Sequence, residues 1–217
     1  MRLKPHDPIG VWHQGSPVEQ AKTQNIMDIL TDPQATSLNS KRVAILATNG
    51  FEESELREPR EVLLQAGAFV DIISLKAGAI KGWKDGDWGD TEQVDRTVAD
   101  AKVDDYDALL LPGGVMNPDK LRMDPDAVAF VRGFFDQQKP VAAICHGPWL
   151  LAEADVLRGR TLTSYPSIRK DLVNAGAQWV DEEVVEDRGL VTSRSPKDLP
   201  AFNARMVEAF AVEVHQH

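Results

Sequence analysis

Val43-Ala44-Ile45-Leu46-Ala47 is an unbroken apolar run. A strand with one wet face alternates apolar and polar side chains, so a run without alternation marks a strand covered on both faces. The same reading applies to Ala108-Leu109-Leu110-Leu111 at the end of the segment 107–111, and to Val141-Ala142-Ala143-Ile144 in the segment 140–144. Outward from these, helix-period segments separate the strands. A helix is expected over about 54–66, with Pro59 inside it and Gly67 at its C-terminal end. A strand is expected over 69–75, and a helix from Asp124-Pro125 through Gln138. Further helices are expected over 147–154, 168–175 and about 196–212, with short strands over 184–186 and 190–193. Alternating strands and helices with apolar central strands predict an α/β fold, with an open, mostly parallel sheet and helices on both faces.

The composition agrees with such a domain. The 217 residues are 42% hydrophobic and 27% charged, enough for a core without disulfides or metals. The net charge of −10 disfavours stable nucleic-acid binding. No apolar run reaches the length of a membrane span, and Met1–Gly10 lacks the apolar stretch of a signal peptide. No membrane association and a cytoplasmic location are therefore expected. Residues 1–40 differ from the rest: Pro5, Pro8, Pro17 and Pro33 lie among polar residues, with one short helix expected near Val18–Leu30. They read as an N-terminal extension to the α/β domain of 41–217.

Ligand sites in open parallel sheets lie beyond the carboxyl ends of the strands. Three such ends carry chemistry here: Thr48-Asn49-Gly50-Phe51-Glu52, Pro112-Gly113-Gly114 and Cys145-His146-Gly147. Cys145 lies where an apolar strand meets a helix, the position of a nucleophile elbow, and the helix terminus is expected to favour its thiolate. His146 is the only histidine between His13 and His215, and so the only imidazole in the body for a base. Glu52 is expected either to reach the sulfur as a protonated carboxyl or to cap the next helix. Glu53 and Glu55 read as ordinary first-turn acids. The backbone N–H groups of Gly113 and Gly114 are candidate oxyanion donors, and Asp119 is placed either to orient an imidazole or to cap a helical turn. The lone cysteine excludes an intrachain disulfide and argues against structural zinc. The segment Lys81–Asp90 fails as a calcium loop, since Gly89 and Arg96 fall at ligand positions, and reads as a hairpin or a subunit-contact loop. No GxGxxG, P-loop or HExxH occurs.

Ala47-Thr48-Asn49-Gly50-Phe51-Glu52-Glu53, Leu111-Pro112-Gly113-Gly114, Ala143-Ile144-Cys145-His146-Gly147-Pro148 and Thr163-Ser164-Tyr165-Pro166 resemble the PfpI-type intracellular protease family. That family lies within the superfamily of the parkinsonism-associated deglycase. The segment Gly82–Gly89 resembles a bacterial stress-associated branch. The resemblance spans about residues 42–211. It implies a flavodoxin-like three-layer sandwich, a homodimer or larger assembly, and no cofactor or metal. It puts the nucleophile at Cys145, with His146 beside it, Glu52 near the sulfur, and Asp119 as a carboxylate for the histidine, in some members from another subunit. The function implied is a cysteine-dependent stress-protection enzyme acting on reactive carbonyls or acyl groups, of glyoxalase/deglycase or peptidase type. A non-catalytic redox-sensing or chaperone-like protein that uses oxidation of Cys145 is the alternative. The related class I glutamine amidotransferases need a distant His-x-Glu that this chain lacks.

Overall fold

A computed structural model describes residues 37–212. The helix expected near Val18–Leu30, and most of the extension, lie outside the described residues. The chain enters at Leu38, whose buried side chain and N–H bond to the Ala66 carbonyl already join it to the body.

In chain order the first strands are β1 (Arg42–Leu46) and β2 (Phe51–Glu52), followed by helix α1 (Glu53–Gln65). Then come β3 (Phe69–Ser74), β4 (Ala79–Lys84), β5 (Asp87–Gln93), β6 (Arg96–Thr97) and β7 (Ala108–Leu111). Helices α2 (Met116–Leu121) and α3 (Pro125–Asp136) lead to β8 (Val141–Ile144) and α4 (Pro148–Glu153). The chain continues through β9 (Thr161–Leu162), α5 (Arg169–Asn174), β10 (Gln178–Trp179), β11 (Val184–Asp187) and β12 (Leu190–Ser193), and closes with α6 (Leu199–Ala211). The main sheet has seven strands in the order β11-β12-β8-β7-β1-β3-β6. Every neighbouring pair is parallel except β11–β12. The mostly parallel sheet with helices, a flavodoxin-like α/β sandwich, is the fold expected from the sequence.

The continuous apolar strands follow from the layering. Ala44, Leu46, Leu109, Leu111, Val141 and Ala143 face one core, with Phe130, Phe134, Leu150 and Leu172. Their alternates Val43, Ile45, Leu110, Ala142 and Ile144 face the other, with Leu56, Leu63, Phe202 and Phe210. Each strand residue is therefore buried whichever way it points. At α3, Asp124 accepts bonds from the N–H groups of Asp126 and Ala127, both 3.0 Å, and Pro125 needs no partner at the first position.

The segment Lys81–Asp90 forms the β4–β5 hairpin, with a two-residue turn at Asp85-Gly86 and Trp83 edge-on to Trp88 at 5.4 Å. This hairpin pairs with β2, Glu52 lying opposite Trp83, and so stands beside the rim of the main sheet. Strand order reverses around β1. Its partner on one side, β3, follows it through α1, whereas β7 comes later and lies on the other side. The carboxyl ends of β1, β7 and β8 meet at that switch point.

Candidate active site

Cys145 follows β8 with φ 62°. A side-chain-bearing residue in this left-handed region is strained, and the strain persists only where surrounding bonds hold it. They do so on both sides. The Cys145 N–H donates to the Ser193 carbonyl at 3.0 Å, and its own carbonyl accepts from the Tyr165 N–H at 2.9 Å. The Gly147 N–H closes the turn onto the Ile144 carbonyl at 2.9 Å.

The elbow turns His146 back onto its neighbour. Its Nδ1 lies 3.2 Å from Cys145 Sγ, and its Nε2 lies 3.0 Å from Ser167 Oγ. Tyr165 stacks on the ring at 4.8 Å, and Trp149 meets its edge at 5.2 Å. Burial pushes the imidazole below its ordinary pKa.

The carboxyl at the sulfur belongs to Glu55, a correction to the expectation for Glu52. Glu52 is the N-cap of α1, and its carboxylate accepts from Ser54 Oγ at 3.3 Å. Glu55, fully buried in the first turn of the helix, accepts the Gly113 N–H on Oε2 at 2.9 Å and interacts with the Cys145 thiol. Burial, reinforced by the nearby Glu52 charge, pushes the Glu55 carboxyl up to about 8. The sequence did carry the signal. Glu55 shares the buried stripe of α1 with Leu56, Pro59 and Leu63, at helical spacing. A carboxylate on an apolar stripe is not a first-turn surface acid. Glu53 is also tied down, accepting the Asp90 N–H at 2.9 Å and pairing with Arg57 and Lys84, which fastens the hairpin to α1.

The expectation of a favoured thiolate is likewise reversed in direction. Burial and then the Glu55 charge push the Cys145 thiol up, against weaker help from the N–H groups of Gly114 and His146. The helix terminus contributes little, because α4 is short and begins with Pro148, which has no N–H. Two groups pressed together in one dry site hold on to their protons more strongly than either would alone.

Both glycines press their backbone against this corner. A Cβ on Gly113 would lie 2.5 Å from Glu55 Oε2 and 2.6 Å from Cys145 Cβ, so no larger residue lets these groups meet. The Gly113 N–H is spent on Glu55 and is not free for an oxyanion, contrary to expectation. Gly114, at φ 77°, turns its N–H toward both the sulfur and the Glu55 carboxyl, and His146 presents its own to the sulfur. Asn117, which the sequence reading passed over, fixes this corner. It accepts the Thr48 N–H at 2.8 Å and donates to the carbonyls of Pro112 and Gly113 at 3.0 and 3.1 Å. One buried amide thus clamps the ends of β1 and β7 together.

Asp119 is not brought to His146 within the chain. It sits exposed on α2, lining a groove with Arg122, Met123 and Glu153. Among the described residues no group of three His, Cys, Asp or Glu is placed to hold a metal ion, and no helix is long and apolar enough to cross a membrane.

The DJ-1/PfpI family profile matches residues 41–209. The putative cysteine protease YraA of Bacillus subtilis is 45% identical over 164 residues, covering 76% of this chain and 95% of the relative. Protein/nucleic acid deglycase 2 of Escherichia coli is 48% identical over 165 residues, covering 76% of this chain and 94% of its own. The crystal structure of Drosophila melanogaster DJ-1beta superposes with a TM-score of 0.73 at 32% identity, covering 79% of this chain and 91% of that one.

Proposed function

The chain belongs to the DJ-1/PfpI family, and from that premise and the geometry of the elbow we propose that it is a cofactor-free, cysteine-dependent enzyme of stress protection. Its substrates are reactive carbonyl compounds, of glyoxalase or deglycase type, in preference to peptides. The relatives named as a deglycase and as a putative cysteine protease support both branches. The observation that favours carbonyls is the His146 environment. The imidazole is buried, held below its ordinary pKa, and partnered at Nε2 by a hydroxyl rather than a carboxylate. Such a base is poorly suited to protonating the amine leaving group of a peptide. It is sufficient for the addition step on an aldehyde, which expels no group.

In this reading Cys145 Sγ adds to the aldehyde carbon of a 2-oxoaldehyde. The thiol proton passes to His146 Nδ1, and the carbonyl π electrons move onto oxygen. The alkoxide lies against the N–H groups of Gly114 and His146, then takes the proton back from the imidazolium to give a hemithioacetal. Glu55, protonated at neutral pH, stays uncharged beside the sulfur and adds no second negative charge as the alkoxide forms. A panel of methylglyoxal, an early glycation adduct on an amino acid, and unstructured peptides tests the reading. The expected order of kcat/KM is methylglyoxal or adduct first and peptide last. Peptide turnover equal to or above that of both carbonyl classes would overturn it.

The same proposal includes assembly as at least a homodimer, as the family resemblance implies. Val115 and Tyr165 are exposed, the first beside the Gly113-Gly114 turn and the second on the imidazole, and covering them would dry the site. Sedimentation is expected to give at least twice the 23.9 kDa chain mass. A fully active monomer would refute this part.

A further inference from the structure

We infer that Ser167 is the positioning residue for His146, holding the imidazole in the tautomer whose bare Nδ1 faces the thiol, and that it does so within a single chain. The inference rests on the reading of Cys145 and His146 as nucleophile and base.

A neutral imidazole carries its hydrogen on one of two nitrogens. For Nδ1, 3.2 Å from Cys145 Sγ, to accept the thiol proton, the hydrogen must sit on Nε2 and needs an acceptor there. Ser167 Oγ, 3.0 Å from Nε2, is that acceptor. The contact also sets the ring orientation. A half-turn of the ring would swap each nitrogen for a carbon and break both contacts together.

The segment carrying Ser167 is built to hold it there. Tyr165 donates its N–H to the Cys145 carbonyl at 2.9 Å and lays its ring on the imidazole, with 24° between the planes. Ser167 follows in a one-turn 3₁₀ helix, Pro166–Ile168, which Ile168 anchors in the core. One short segment therefore grips the elbow backbone, the face of the imidazole and its outer nitrogen.

Among the described residues no other side chain bonds Nε2. The titratable groups facing the ring are Cys145, with Glu55 behind it, and Tyr165 on its face. Arg122 and Asp171 lie beyond Trp149, the first over the indole ring at 5.4 Å and the second accepting its Nε1–H at 2.9 Å. None of these carboxylates touches the imidazole. A hydroxyl differs from a carboxylate in what it does after proton transfer. It fixes the tautomer, but as a dipole it adds little stability to the imidazolium, so the base stays neutral at rest.

The test reads the tautomer directly, by ¹⁵N chemical shifts of the His146 ring, alongside the pH dependence of Cys145 alkylation by iodoacetamide. Neither needs the substrate to be known. In the wild type the hydrogen is expected on Nε2. Ser167→Ala is expected to mix the tautomers and slow alkylation at pH 7 about tenfold, the scale of one ordinary hydrogen bond. Ser167→Thr, which keeps the hydroxyl, is expected to restore both. A wild-type hydrogen on Nδ1, or an Ala variant with unchanged shifts and alkylation profile, would overturn the inference. So would a change in tautomer in Asp119→Asn that Ser167→Ala does not show, which would give the role to that carboxylate. His146→Ala tests the dyad apart from Ser167. If it leaves the alkylation profile unchanged, the dyad itself is refuted, whatever Ser167 does.

Discussion

Cys145→Ser is expected to lower turnover of methylglyoxal by on the order of a thousandfold or more, the scale seen when a covalent nucleophile is removed. The change is small in volume and keeps a polar hydrogen, so the elbow should survive: its strain is held by main-chain bonds to Ser193 and Tyr165, not by the sulfur. What is lost is nucleophilicity. A serine hydroxyl beside an imidazole held below its ordinary pKa, with a hydroxyl rather than a carboxylate behind it, has no adequate base. Circular dichroism and the urea midpoint should match the wild type while turnover collapses. Retained turnover with an intact fold would exclude the cysteine mechanism. A holdase activity that survives the substitution, with no carbonyl turnover in either protein, would favour the chaperone-like alternative.

Glu55→Gln is expected to change how stability depends on pH. The folded protein holds the Glu55 carboxyl at about 8, against an ordinary value of 4.5. Below 4.5 the group is protonated in both folded and unfolded chains, and its contribution to stability is fully present. Between 4.5 and about 8 the unfolded chain releases the proton and the folded chain keeps it. Stability is therefore lost as pH rises, by about 4–5 kcal/mol across the window on the scale of about 1.4 kcal/mol per unit. A glutamine keeps an acceptor for the Gly113 N–H and has nothing to titrate. Between pH 5 and pH 8 the wild-type urea midpoint should fall steeply, while that of Glu55→Gln falls much less. Parallel falls in the two proteins would show that the carboxyl is ionised in the native site.

The strands were legible because burial on both faces leaves a simple mark. Val43–Ala47 and Val141–Ile144 have no polar residue to misplace, and their two alternating sets feed two cores. The nucleophile was legible for a related reason, since the strand simply stops at Cys145. The carboxyl was misassigned by three residues. Proximity in sequence to the strand end favoured Glu52, but a helix beginning at Glu53 turns its third residue inward. Asp119 is a different case, since within one chain it lies exposed on α2 away from His146. Its motif placed it near the rim, yet the direction of an α2 side chain depends on where that helix packs, which local spacing does not contain. Ser167 had no local signal at all. A serine two residues after Tyr165 becomes informative only once the chain has returned to the elbow from 20 residues downstream.

That return also bears on the order of assembly. Cys145 is clamped between Tyr165 on one side and Ser193 on the other, both contributed by chain that follows it. On a nascent or refolding polypeptide the elbow has neither tether, and its unfavourable dihedral has nothing to offset it until β9 and β12 have docked. The reactive geometry is thus among the late products of folding, and a chain stalled part-way carries a cysteine but no dyad. Because Cys145 is the sole thiol among 217 residues, its accessibility to a pulse of alkylating reagent records when the last third of the chain has arrived.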